Sequence, residues 1–213
     1  MNHKHTEHKN IEQKYYRSYA ALEHIARNTL KDFDHMLLSG SPAAIPIEKL
    51  AEHLGLCIEY QCLRKNGAIL GEMVYDDTLV PVYFRDLKTY GLIEVEGRTI
   101  ILDESLLRGR NDGRLRFTCA HEIGHWLLHR DLFTGTGWAA ALGHPKKSSE
   151  ENPVVERQAN QLATLLLMPK AQVKKAFYAI RNEGDINPAS RLAELFDVSK
   201  QAMDIFLHEH NLA

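Results

Sequence analysis

The segment LRFTCAHEIGHWLLH, residues 115–129, constrains this chain more than any other stretch. Leu115, Cys119, Ile123, Trp126 and Leu127 recur at helical spacing and mark a buried stripe. At about 100° per residue, His121 and His125 lie about 40° apart on one face, one turn from each other. Any fold must therefore bury one side of this helix while keeping two imidazoles side by side. Two rings so placed can converge on one ion at the usual Zn–N distance of about 2.0–2.1 Å. Glu122 projects beside the pair, too far round to be the natural third ligand, and is placed to take a proton from water at the metal. Gly124 thins the surface between the histidines, which suits a packed strand or a closely approaching substrate. Cys119, about 200° round from His121, faces the core, as does Trp126.

Twelve histidines in 213 residues make the His-Glu-x-x-His pattern less rare than it looks. Shuffling would produce it about once in twenty times. Its helical setting and a suitable ligand downstream favour a metal site. Three residues compete for that third place. His129 continues the i, i+4 series but stands about 12 Å along the axis from His121, so it is expected to pack or to cap the helix end. Asp131 fills the position of a metzincin ligand, but that pattern needs glycine at 128 and the sequence has Leu128. Glu156 opens the helix VERQANQLATLLLMP and is favoured over the neighbouring Glu150 and Glu151. A glutamate on a second helix packed across the first completes a His₂Glu site and leaves the fourth position open.

The surrounding pattern predicts an α+β fold. A disordered polar leader is expected over residues 1–14, which carry His3, His5 and His8. A main domain is expected over 15–180 and a helical tail over 181–213. Tyr15 to Leu38 reads as one helix, and Pro46 opens a short one closed by Gly55. LCIEYQCL, GAILGEMVY, LVPVYF and RTIILD are the strand candidates of a small sheet, with turns at Asp76-Asp77 and Glu96-Gly97. RTIILD could be an internal strand or the edge that pairs with an extended substrate. The second strong helix runs from Val154 to Leu167 and stops at Pro169, and two or three short helices follow.

Composition narrows the function classes. A formal net charge of −2 gives no reason to expect strong nucleic-acid or membrane binding. No apolar run of about 18 residues spans a bilayer, and the N-terminus lacks the apolar core of a signal peptide. Cys57, Cys62 and Cys119 form no CxxC pair. A cytoplasmic location is the expectation.

LRFTCAHEIGHWLLH followed by ERQANQLATLLLMP resembles the ImmA/IrrE family of metallopeptidases, which show an Arg-Phe-Thr-x-Ala-His-Glu-x-Gly-His core and a later Glu-x-x-Ala-Asn helix ending in Leu-Met-Pro. The likeness is close at Arg116–His125 and Glu156–Pro169 and looser over most of 15–212. It implies a gluzincin-like, zincin-type core in which His121, His125 and Glu156 bind the metal and Glu122 is the general base. Zn²⁺ suits that set best, with Mn²⁺ or Fe²⁺ as alternatives. It further implies a protein substrate, since characterised members cleave helix-turn-helix repressors and so control mobile-element or stress genes. A downstream sensory module of the kind some members carry is not expected.

RLAELFDVSKQAMDIFL also reads as a helix-turn-helix, with its turn near Asp197 and a second helix from Ser199. Two cations against four carboxylates from Ile186 onward suit it poorly to DNA. Packing, or docking of a protein partner, is the expected role. Two other readings stand beside the peptidase: a non-catalytic, metal-containing regulator that binds a partner, and a DNA-binding regulator, which the acidic tail disfavours. The oxyanion stabiliser stays open among Arg116, His144 and Tyr178.

Overall fold

The computed structural model describes residues 16–108, 112–134, 153–184 and 186–212. The leader histidines, His144, Glu150 and Glu151 lie outside the described residues. Helix α1 (Tyr19–Phe33) begins at Ser18, whose Oγ accepts the Ala21 amide. It buries Leu22, Ala26 and Leu30. The single helix expected up to Leu38 is divided. Asp34 turns to extended backbone, and its Oδ1 accepts the Met36 amide to start α2 (Met36–Ser39). An aspartate side chain that bonds its own backbone two residues on competes with helix continuation. Helix α3 (Ile47–His53) follows Pro46, and Gly55 at φ +71° closes it with its amide on Glu52 O.

Strands β1 (Cys57–Gln61), β2 (Gly71–Val74), β3 (Thr78–Phe84), β4 (Thr89–Val95) and β5 (Thr99–Asp103) build two small sheets where one was expected. The first has the order β1-β5-β2, with β5 parallel to β1 and antiparallel to β2. RTIILD is therefore the central strand, which settles the choice the sequence left open. All five residues of β5 are buried and it is paired on both sides, so it has no edge to offer, and β1 and β2 take the edge positions. The second sheet is the β3–β4 hairpin, and β4 had no counterpart among the strand candidates. Within β5 the alternation divides two cores. Ile100 and Leu102 join the main helical core, while Ile101 packs with Leu63, Val74, Val80, Val82 and Val95 behind the hairpin.

A 3₁₀ turn (Glu104–Arg108) leads toward α4 (Asp112–Phe133), the helix that carries both histidines. It packs against β2, β5 and α3, and most extensively against α5 (Pro153–Leu167). Helix α5 buries Ala159, Leu162, Ala163 and Leu166 and ends before Pro169, which caps α6 (Lys170–Asn182). Helices α7 (Ala189–Phe196) and α8 (Lys200–Glu209) follow. Asp197 joins them in the left-handed conformation at φ 52°, and Ser199 Oγ accepts the Ala202 amide. Leu192, Phe196, Met203 and Phe206 belong to the same buried cluster as Leu22, Ile123 and Leu162. No helix among the described residues is long and apolar enough to cross a membrane.

Candidate metal centre

The crossing of α4 and α5 sets the geometry of the site. A Cβ built on Gly124 would stand 3.0 Å from Ala159 O and 3.2 Å from Ala159 Cα. The thin surface expected to admit a strand or a substrate thus admits the backbone of α5 instead. That close approach brings Glu156, one turn earlier on α5, over the two histidines of α4.

His121 Nε2 and His125 Nε2 stand 2.9 Å apart. Glu156 Oε2 is 3.3 Å from the first and its Oε1 is 3.2 Å from the second. A tetrahedral ion with ligand bonds of about 2.0–2.1 Å separates its donors by about 3.3–3.4 Å. The three observed edges approach that triangle. Glu156 Oε1 is also buried with no aligned hydrogen-bond partner, which a metal bond would satisfy. The donor set therefore fits one divalent ion, and among the described residues these three are the only such cluster.

Each donor is held from behind. His121 Nδ1 is 3.0 Å from Asn160 Oδ1, on the turn of α5 after Glu156. His125 Nδ1 is 3.3 Å from His129 Nδ1. His129 is wholly buried beside Gln158 of α5 and is not part of the donor cluster. Asp131 points to solvent beside Arg130.

The electrostatics follow from burial against pairing. Burial resists charge on Glu156, but pairing with His121 and His125 outweighs it and holds the carboxyl well below the usual carboxylate range. Burial likewise opposes a charged His121, yet the Glu156 hydrogen bond and the Glu122 charge raise its pKa. Burial pushes the Glu122 carboxyl up, and His125 and His121 only partly oppose this. Burial, with some help from the His125 charge, lowers His129 to about 4, so that ring is neutral. Burial pushes the Cys119 thiol up to about 12, and its side chain faces the core as expected.

Glu122 lies against the edge strand. A Cβ on Gly71 of β2 would meet Glu122 Oε1 at 2.6 Å and Thr118 Cγ2 at 2.7 Å, so glycine at this position is what lets the carboxylate lie flat on β2. At the end of β2, Tyr75 stacks on Trp126 and Phe133, and burial with the Glu122 and Glu156 charges keeps its phenol protonated. Neither Tyr75 nor Asn160 carried a sequence signal beyond the motif blocks, because both reach the site through packing. Trp126 is only partly buried, held between Tyr75 and the guanidinium groups of Arg98 and Arg130.

Arg116 is committed elsewhere. It donates to Ile45 O and Asp197 O and pairs with the Asp197 carboxylate, which removes it as an oxyanion stabiliser. Tyr178 is exposed on α6.

A family model described as the IrrE N-terminal-like domain, peptidase M78, matches residues 82–208, which include both α4 and α5. No curated protein matches the chain.

Proposed function

The chain belongs to the IrrE N-terminal-like peptidase family, and from that premise we propose that it is a metal-dependent endopeptidase of the zincin type. The observation that carries this reading is the triangle of His121, His125 and Glu156 donors with Glu122 beside it. His121, His125 and Glu156 hold the ion. Zn²⁺ suits two nitrogens and an oxygen, and Mn²⁺ or Fe²⁺ could use the same set. When bound, such an ion polarises a carbonyl and makes water acidic near neutral pH. Glu122 takes the proton from the attacking water and passes it to the leaving amine. Burial raises its proton affinity toward that task, and the Gly71 backbone fixes where the carboxyl sits. Tyr75, kept protonated at the end of β2, is the hydrogen-bond donor we assign to the developing oxyanion.

Among the described residues β2 has a strand partner on only one side, and its other edge is where an extended peptide would add as a strand. The resemblance supports a helix-turn-helix repressor as substrate and control of mobile-element or stress genes as its consequence. The α7–α8 pair, helix-turn-helix-like and acidic, is the surface we assign to docking that partner rather than DNA. Three free cysteines support a cytoplasmic setting.

Metal analysis of the purified protein tests the centre. About one ion per chain is expected in wild type and in Glu122→Gln, and loss in Glu156→Ala. Incubation with a panel of purified helix-turn-helix repressors tests the activity. Cleavage by wild type but not by Glu122→Gln supports a peptidase. Stable binding without cleavage by either would favour a non-catalytic regulator.

A further inference from the structure

We propose that His129 is a positioning residue of the metal centre: as a hydrogen-bond acceptor beneath His125, it fixes the ring and tautomer that present His125 Nε2 to the ion. This inference rests on the metal reading above. The argument starts from the other ligand. Asn160 Oδ1 can only accept, so the 3.0 Å contact places the His121 proton on Nδ1 and leaves the Nε2 lone pair facing the remaining donors. His125 needs the same arrangement, because its Nε2 is the atom that faces His121 and Glu156. Its proton must then sit on Nδ1, and the group hydrogen-bonded to Nδ1 is His129 Nδ1, 3.3 Å away. His129 accepts, so its own proton lies on Nε2.

That nitrogen is buried and has no aligned partner, and it shares the interior with Gln158, whose two amide atoms are in the same condition. Three polar atoms buried without partners under a metal centre are costly unless they serve it. Gln158 stands beside His129, and its Oε1 is the acceptor that would take the His129 Nε2–H and continue a chain from His125 through His129 to α5. Metal-bound histidines usually donate to a carboxylate, a backbone carbonyl or water. Here Glu122 and Glu156 already bring two carboxylates to the site. A neutral imidazole supplies orientation without adding a third negative charge.

The test compares zinc affinity, by chelator competition, in wild type, His129→Leu and His129→Asn, with thermal melting of each metal-free protein. The leucine fills the space without accepting, and the asparagine returns an oxygen near the position of Nδ1. Zinc affinity about 10- to 100-fold weaker in His129→Leu and recovered in His129→Asn, with similar metal-free melting, is the expected result. Unchanged affinity in His129→Leu, or equal loss in both variants, would overturn the inference and leave the metal reading intact. Absence of zinc binding by wild type would instead remove the metal reading. Nitrogen-15 NMR of the zinc-loaded wild type covers the case of a leucine variant that does not fold. A His129 proton on Nε2, leaving Nδ1 to accept, supports the inference, and a proton on His129 Nδ1 overturns it.

Discussion

Replacing Gly124 by alanine tests the closeness of the two helices on which the metal centre depends. The new Cβ would lie 3.0 Å from Ala159 O, 3.2 Å from Ala159 Cα and 3.5 Å from its carbonyl carbon. Comfortable carbon contacts are about 3.5–4.0 Å, so α5 must retreat by roughly 0.5 Å or α4 must bend. Neither movement is easy, because Ala159, Leu162, Ala163 and Leu166 are all fully buried. Alanine gains roughly 0.8–1 kcal/mol over glycine in a helix interior, while overpacking costs about 1–3 kcal/mol. A net loss of about 1 kcal/mol is expected in urea denaturation of the metal-free protein.

Metal binding should suffer more than stability. Glu156 lies three residues before Ala159 on the same helix, so a shift of α5 carries its carboxylate away from the histidines. Metal–ligand distances tolerate only about 0.2 Å, and zinc affinity is expected to fall at least about tenfold on that ground. Chelator competition reads this directly. A variant more stable by the full helix-propensity gain, with zinc affinity unchanged, would refute the close crossing.

Gly71→Ala acts on the other side of the site. Its Cβ displaces Glu122 from β2 without touching the donors, so cleavage should drop while metal content stays near wild type; metal loss in parallel would contradict the separation. Thiol labelling of the native protein should modify Cys57, the exposed cysteine, while Cys62 and Cys119 stay protected until denaturant is added, because burial raises both thiols. Rapid native labelling at Cys119 would show that α4 does not pack as described. Acidification should weaken zinc binding. The Glu156 hydrogen bond overcomes burial and raises His121, so protons compete from above the ordinary imidazole value of about 6.5. A zinc affinity unchanged between pH 8 and pH 5 would argue against histidine ligation.

Local sequence carried the elements whose signals are local. The α4 stripe, the Pro46 and Gly55 bounds of α3 and the Pro169 stop of α5 all depend on residues within a turn or two. Strand β4 did not show itself. Gly91 interrupts it, and exposed Tyr90 and Leu92 blur the alternation. Its hairpin turn puts Lys88 at φ 54° where glycine or asparagine would have signalled it. Position within a sheet is a tertiary property, so RTIILD could be read as a strand but not as a centre. The histidine pair was legible because helical geometry alone juxtaposes it. Meeting Glu156, Asn160 and Gln158 required α5 to cross at Gly124, and one glycine does not announce which element will fill the gap.

Arg116 gives this architecture a consequence for the order of assembly. One guanidinium on α4 joins Ile45, 71 residues earlier, to Asp197, 81 residues later. During synthesis the two histidines emerge well before Glu156, and Asp197 emerges after both. The donor set thus closes late, and the clamp that ties α4 to the α7–α8 turn closes later still. Contacts this distant along the chain slow folding, since loop closure must precede them. A nascent chain shorter than residue 156 holds the histidine pair but not the third donor, so the proposed metal centre cannot close until most of the polypeptide has been made.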